Sequence, residues 1–362
     1  MLQSNVFSAS YTIARNRFRE AAFNLNANLE SFAIDEKGSN DEELTIDFAF
    51  IGVNQPQWIV VLSSGLHGIE GFFGSAIQLA WMQEAVRRNE LQIGIDGAIL
   101  LIHAINPYGF AWFRRTNEDN IDLNRNFLLQ NETYKDAPFE YSLINDFLNP
   151  QSPPPLIDPF LFIAIRTILR CGYPILKQAI AGGQYEFSEG LFFGGSSPAK
   201  STQIIQAALP QWVSSAKQII HLDFHTGLGK WANYELFPSV LLDPSRYTWV
   251  FRQFGLDKIA GRVPYKCQGL MGNWLANNFT HKNYVYLNAE FGTYSGLKAL
   301  ASLRAENRFH FYGKEDHKRV KAQLYEVFCP KASAWRQSSL TKGLALVNKA
   351  LEVCPSMHEN LF

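Results

Sequence analysis

The sequence predicts an α/β fold built on an open, largely parallel sheet, and three observations carry that prediction. Apolar runs of strand length alternate with segments of helical period along most of the chain. Several of these runs are apolar throughout, as strands covered by helices on both faces are. Four of them end in polar turns, three of which contain glycine and one Asn106-Pro107, the place where open α/β sheets bind their ligands. With 362 residues, 47% hydrophobic and 14% aromatic, the chain can bury a large core, enough for one large α/β domain or two smaller ones.

The elements follow in order. SYTIARNRFREAAFNLNANLE (10–30) has the period of a helix, LTIDFAFIGV alternates as a strand, and WIVVLSSG reads as a fully buried strand with a helix over 71–90 directly after it. GAILLIHAINPYG is a second buried strand running into a turn at Asn106 and Pro107, and QIIHLDFHTGLG and YVYLNAEFGTY are strands ending in glycine-containing loops. The stretch 128–198, with NPQSPPPLIDP and AGGQYEFSEGLFFGGSSPAKS, reads as an irregular insertion forming a lid or wall. From about 297 to 362 the pattern is helical. No internal repeat or second-domain boundary stands out, so 1–362 is read as a single domain.

Composition narrows the function classes. Thirty-three basic residues balance thirty-three acidic ones, so no global field favours nucleic acid or an anionic membrane. Cys171, Cys267, Cys329 and Cys354 form no Cys-x-x-Cys pair, which argues against a disulfide framework or structural zinc knuckle and suits a cytoplasmic protein. The N-terminal stretch lacks the apolar core of a signal peptide, and no segment reaches the length of a membrane span. The expected partners are small molecules, with neither nucleic acid nor membrane among them; oligomeric state is not legible.

Within GLHGIEGFFG, His67 and Glu70 stand where a buried strand ends. The plain alternatives are a turn histidine and an acid opening a helix at its positive end. A catalytic zinc site needs three nitrogen or oxygen ligands and an open position. HLDFHTG offers His225 as the third, with Asp223 on the same strand face as a carboxylate to orient it. His221, deeper in the strand, is expected to be a core histidine bonded to a backbone carbonyl. A third cluster is NPYGFAWFRRTNEDNIDLNRNF, where Arg115 precedes the compact DLNRNF.

These motifs together resemble the M14 family of zinc carboxypeptidases, and within it an uncharacterised bacterial branch of DUF2817 type. The likeness runs in order through His67 and Glu70, Asn106 to Gly109, Arg115, Asp122 to Phe127, His225, and Glu290 in NAEFGTY, over roughly 58–295. It implies a three-layer α/β/α fold with a mixed, mostly parallel central sheet. It also implies one Zn2+ per chain held by His67, Glu70 and His225, although the same ligands suit other divalent metals. Glu290 would be the general base for water activated by the cation, and Arg115 would stabilise the oxyanion, leaving Arg114 to point elsewhere. Asn124 and Arg125 would anchor a substrate carboxylate. Asp122 would accept a hydrogen bond from the first ligand histidine, the alternative being a helix or turn cap.

The implied function is a metallopeptidase that cleaves a peptide or amide bond beside a free carboxylate. The alternatives are an N-acyl amino acid deacylase of the aspartoacylase or succinylglutamate desuccinylase type, and a non-catalytic metal-binding protein. The helical C-terminal segment weighs against the deacylase relatives, whose C-terminal domain is β-rich. The tyrosine that digestive members fold over the substrate has four candidates here: Tyr265, Tyr284, Tyr286 and Tyr294.

Overall fold

The structure, a computed structural model, describes residues 4–88, 93–155, 158–260, 267–313 and 318–357. Seven strands form one sheet: β1 (Asn28–Lys37), β2 (Glu43–Gly52), β3 (Trp58–Ser64), β4 (Gly97–His103), β5 (Gln218–Thr226), β6 (Tyr234–Pro238) and β7 (Asn283–Phe291), in the order β1-β2-β4-β3-β5-β7-β6. The central strands β4, β3, β5 and β7 run parallel, and antiparallel pairings add β2 and then β1 on one side and β6 on the other. This is the mixed α/β sheet expected from the sequence.

The period-two alternation of side chains divides the parallel strands between two cores. Val60, Leu62, Ile99, Leu101, Ile220 and Leu222 face one side, under the helices Tyr11–Asn24, Gly71–Arg88 and Ser333–Val353. Ile59, Val61, Leu100, Ile102 and Ile219 face the other, under Lys200–Trp212 and Met271–Asn278. Because both faces are covered, β3, β4 and β5 are buried along their whole length, which is why β3 and β4 read as apolar runs.

Two expectations are corrected. The helix read over 10–30 stops at Asn24, where Asn26 takes a positive φ of 52° and turns the chain into β1. That strand is mostly exposed, so it lacks the apolar signature that marks the others. The polar members of the β2 alternation, Thr45 and Asp47, are buried beneath the first helix, whose Arg19 clamps Asp47 at 2.8 and 2.9 Å and whose Tyr11 hydroxyl donates to the Thr45 carbonyl at 3.0 Å. The stretch 128–198 is not irregular throughout, since it holds the helices Phe139–Leu148, Phe160–Cys171 and Tyr173–Gly182. The C-terminal segment is helical as expected, in Gly296–Tyr312, Lys318–Phe328 and Ser333–Val353.

The loop after β3 is seated against the turn after β4 by a close approach at Gly68. A Cβ there would lie 2.1 Å from the Gly109 carbonyl carbon and 2.3 Å from the Phe110 nitrogen, both backbone atoms that cannot step aside. Gly68→Ala is therefore expected to lower stability by about 1–3 kcal/mol in urea denaturation, the range for overpacking. Gly296→Ala, where the nearest atom is the Leu228 side chain at 3.9 Å, should stay within about 0.5 kcal/mol of the parent.

Candidate metal and catalytic site

Parallel strands present their carboxyl ends on one edge of the sheet, and that edge gathers the chemistry. The loop after β3 carries His67 and Glu70, β4 leads into the turn of Asn106 and on to Arg114 and Arg115, β5 carries His225 one residue before its end, and β7 carries Glu290. Register makes His225 and Glu290 direct neighbours across β5 and β7. Among the described residues, His67, Glu70 and His225 are the one group of three histidine, cysteine or carboxylate ligands whose donor atoms all lie within 4.8 Å of one another.

The donors converge closely. His67 Nδ1 is 2.9 Å from Glu70 Oε1, and His225 Nδ1 is 3.0 Å from Glu70 Oε2 and 3.3 Å from His67 Nδ1. The Thr226 N–H donates to Glu70 Oε2 at 3.1 Å. Each imidazole is backed by a buried carboxylate on its far nitrogen: Asp122 Oδ1 lies 3.2 Å from His67 Nε2, and Asp223 Oδ2 lies 2.6 Å from His225 Nε2. A proton on each Nε2, accepted by its carboxylate, leaves both Nδ1 lone pairs aimed at one point beside Glu70. Two neutral imidazoles and a carboxylate so arranged are a donor set for a divalent cation, so these residues fit the group that the family likeness implies.

Burial opposes charge on His225, but Asp223 and then Glu70 outweigh it and hold that imidazole well above its ordinary range, so a cation binding there displaces a proton. Burial opposes ionisation of Glu70, but His67 and His225 outweigh it and hold the carboxyl below its ordinary range. Asp122 is held well below its usual value, because Arg115 and then His67 overcome the cost of burial. Glu290 goes the other way. Burial, followed by the negative charge of Glu70, pushes it up to about 7, against the pull of His225 and of the Leu228 N–H, which donates to Oε1 at 2.9 Å.

Arg115 lies directly on the donors. Its Nε donates to Asp122 Oδ2 at 3.0 Å and its Nη1 to Glu70 Oε1 at 3.3 Å. Its Nη2 stands 2.7 Å from His67 Nε2, so Arg115 and Asp122 compete for that nitrogen, and only donation from Nε2 to Asp122 leaves Nδ1 bare. Arg114 points away, as expected, into a buried cluster: Nε to Glu306 Oε1 at 3.0 Å and Nη2 to Asn120 and Asn307 at 3.0 and 3.2 Å, with Lys321 Nζ on Glu306 at 2.6 Å. The carbonyls of the two arginines accept from the backbone of the first ligand loop, Ile69 N at 2.7 Å and Gly68 N at 3.1 Å.

Asn124 and Arg125 follow Asp122 in a single 3-10 turn. Asn124 Oδ1 accepts from Met271 N at 3.2 Å, and Arg125 donates to the carbonyls of Asn124 and Ala181 at 2.7 and 2.8 Å, while its buried Nε has no partner among the described residues. His221 is a core residue, but its partners are side chains and not the backbone carbonyl expected: Ser63 Oγ at 2.7 Å and Tyr284 OH at 2.8 Å. Ser63 also donates to Asp223 Oδ1 at 2.6 Å, and Tyr286 OH donates to Asp223 Oδ2 at 2.8 Å. Tyr284 and Tyr286 are thus interior residues behind the ligands, Tyr294 is half-buried and bonded to Glu326 at 2.7 Å, and Tyr265 falls outside the described residues.

Sequence reasoning missed Ser63, Glu306 and Lys321, and weighed Tyr286 only as a cover for the substrate, not as a partner of Asp223. Ser63 and Tyr286 are polar residues in buried strands, a detectable signal, whereas Glu306 and Lys321 look like ordinary helix charges. Glu306→Ala would leave Arg114 buried without its carboxylate, and the expected cost is roughly 3–5 kcal/mol in urea denaturation. A double-mutant cycle with Arg114→Ala should return a coupling above about 1 kcal/mol.

A family model described as "Protein of unknown function (DUF2817)" matches residues 7–342. The sequence matches none of the curated proteins. Solved structures similar to it include bovine thrombin-activatable fibrinolysis inhibitor, at 11% identity over 96% of this chain and 97% of that one, with a TM-score of 0.48. Carboxypeptidase A of Helicoverpa armigera follows at 12% identity over 90% and 74%, TM-score 0.48. The murein-tripeptide amidase of Escherichia coli O157 is similar at 16% identity over 80% and 93%, TM-score 0.37. The family match takes in every residue placed above, from Ser63 to Glu326, and the chain belongs to the DUF2817 family.

Proposed function

We propose that this chain is a zinc-dependent, carboxypeptidase-like hydrolase that cleaves a peptide or amide bond next to a free carboxylate. The observation that carries the reading is the convergence of His67 Nδ1, Glu70 and His225 Nδ1, each imidazole backed by its own carboxylate, beside a glutamate raised to about 7. A pure binding site has use for the three ligands but none for Glu290 and Arg115. His67, Glu70 and His225 would hold a zinc ion, which would supply Lewis acidity. Glu290 takes the proton of the attacking water and passes it to the leaving amine, with Oε1 held by the Leu228 N–H. Arg115 brings a fixed positive charge to the developing oxyanion, anchored through Nε on Asp122. Asn124 and Arg125 receive the substrate carboxylate, and the unpartnered Nε of Arg125 supports that assignment. No two of the described cysteines form a disulfide, which supports a reducing, cytoplasmic setting.

Metal analysis of the purified chain, with a panel of free-carboxylate peptides, their amides and N-acyl amino acids, tests the proposal. Turnover of acyl amino acids alone would favour the deacylase reading. Glu290→Gln is expected to lower kcat by at least about 100-fold while bound metal stays stoichiometric; unchanged activity removes Glu290 from the mechanism. Arg125→Ala should raise KM for free-carboxylate substrates by about 30-fold or more and leave the amides far less affected, the scale of a lost charge-assisted contact. The base must be ionised to accept a proton, so kcat/KM should fall as pH drops through the Glu290 pKa. That acid limb should lie below about 7 in the zinc-loaded enzyme, because a nearby cation favours the carboxylate.

A further inference from the structure

The two faces of the helix Phe160–Cys171 meet different surroundings. Phe160 and Ala164 are buried, and Phe160 stacks on Phe147 with ring centroids 5.6 Å apart. Leu161, Phe162, Ile165 and Leu169 point outward and are 63%, 70%, 59% and 82% exposed. At about 100° per residue these four fall within an arc of roughly 100°, and Arg166 and Arg170 border one side of it. Tyr173, at the start of the next helix, is also exposed. The segment is fastened to the body of the protein: Arg304 donates to the Phe147 carbonyl at 2.6 Å and pairs with Asp158, just before the helix. The outward strip is thus held in place and left uncovered by any described residue. Single exposed apolar residues are common, whereas a contiguous strip on one helix marks a docking surface.

Charge indicates what docks. Between Asp158 and Glu186 the chain contains no acidic residue, yet Arg166, Arg170 and Lys177 are all exposed, and Asp158 is neutralised by Arg304. An apolar arc bordered by cations is the pattern of a helix lying in the plane of an anionic lipid surface. A second copy of the chain fits less well, because a two-fold contact brings the same patch onto itself, with cations on both sides and no acid in the segment to meet them.

We propose that the helix Phe160–Cys171 docks this protein on anionic bilayers, with Leu161, Phe162, Ile165 and Leu169 at the acyl boundary and the two arginines at the phosphates. The helix Tyr173–Gly182 follows after Gly172 alone, and its Ala181 carbonyl accepts from Arg125 at 2.8 Å, so the docked surface is one helix away from the proposed carboxylate anchor. The docking rests on the surface alone and stands or falls separately from the hydrolase reading.

Sedimentation of the full-length protein with vesicles tests it, using phosphatidylcholine alone and phosphatidylcholine with phosphatidylglycerol in equal parts. Partitioning onto the anionic vesicles is expected to exceed that onto the neutral ones at least about tenfold and to weaken with salt. Ile165→Glu/Leu169→Glu should reduce it to background. Arg166→Ala/Arg170→Ala should lower it about tenfold or more, since each basic residue near such a surface contributes about fivefold. All four positions are exposed, so the urea midpoint should not move; if the glutamate variant fails to fold, the alanine variant carries the test. No binding to either vesicle, or binding that both variants retain, overturns the proposal. A dimer that Ile165→Glu/Leu169→Glu converts to monomer in sedimentation velocity, without vesicle binding by the parent, assigns the face to a second copy instead.

Discussion

Two buried carboxylates decide what the rest of this site can be. Asp122 and Asp223 each stand at the far nitrogen of an imidazole, at 3.2 and 2.6 Å, and an ionised carboxylate in that place requires a proton on the nitrogen it faces. A cation that displaced the protons on the near nitrogens would then meet two lone pairs beside the same carboxylate, Glu70. Asp223 is itself held from two sides, by Ser63 and by Tyr286, so a polar strip runs down the covered face of the sheet behind His225. Every member of that strip has a partner, the condition under which buried polar groups add order instead of cost.

The arginines show how neighbouring residues of one type divide the work. Arg115 turns toward the donors and Arg114 turns toward the C-terminal helices, while the backbone between them is stitched to the loop that bears His67. A guanidinium cannot release its proton, so Arg114 can be buried only where acceptors surround it; Glu306, Asn120 and Asn307 do so. The placement of Arg115 thus depends on helices far away in the chain that contribute nothing to the donor set.

Much of this is legible because β3 and β4, buried on both faces, show themselves as apolar runs, while β5 and β7 keep enough apolar residues between their polar ones to read as strands. The polar residues at the ends of these four strands are those the structure brings together. β1 escaped because it is an exposed edge strand, and β6 because it has only five residues. The helices within 128–198 were obscured by prolines at their entrances and by outward-facing apolar side chains that blur the usual division into wet and dry faces. His221 shows the limit of single-residue reasoning: its burial followed from its position in the strand, but its partners, Ser63 and Tyr284, lie on two other strands and depend on sheet order.

The edge of the sheet on which the ligands meet has a consequence for how the molecule matures. His67 and His225 are separated by 158 positions, and their rings come within reach only once β3 and β5 lie side by side. Closing so long a loop costs chain entropy before any contact repays it. A coordinating ion would therefore find no purchase on nascent or half-assembled forms, and its affinity would act wholly in favour of the finished topology, as a latch that engages last.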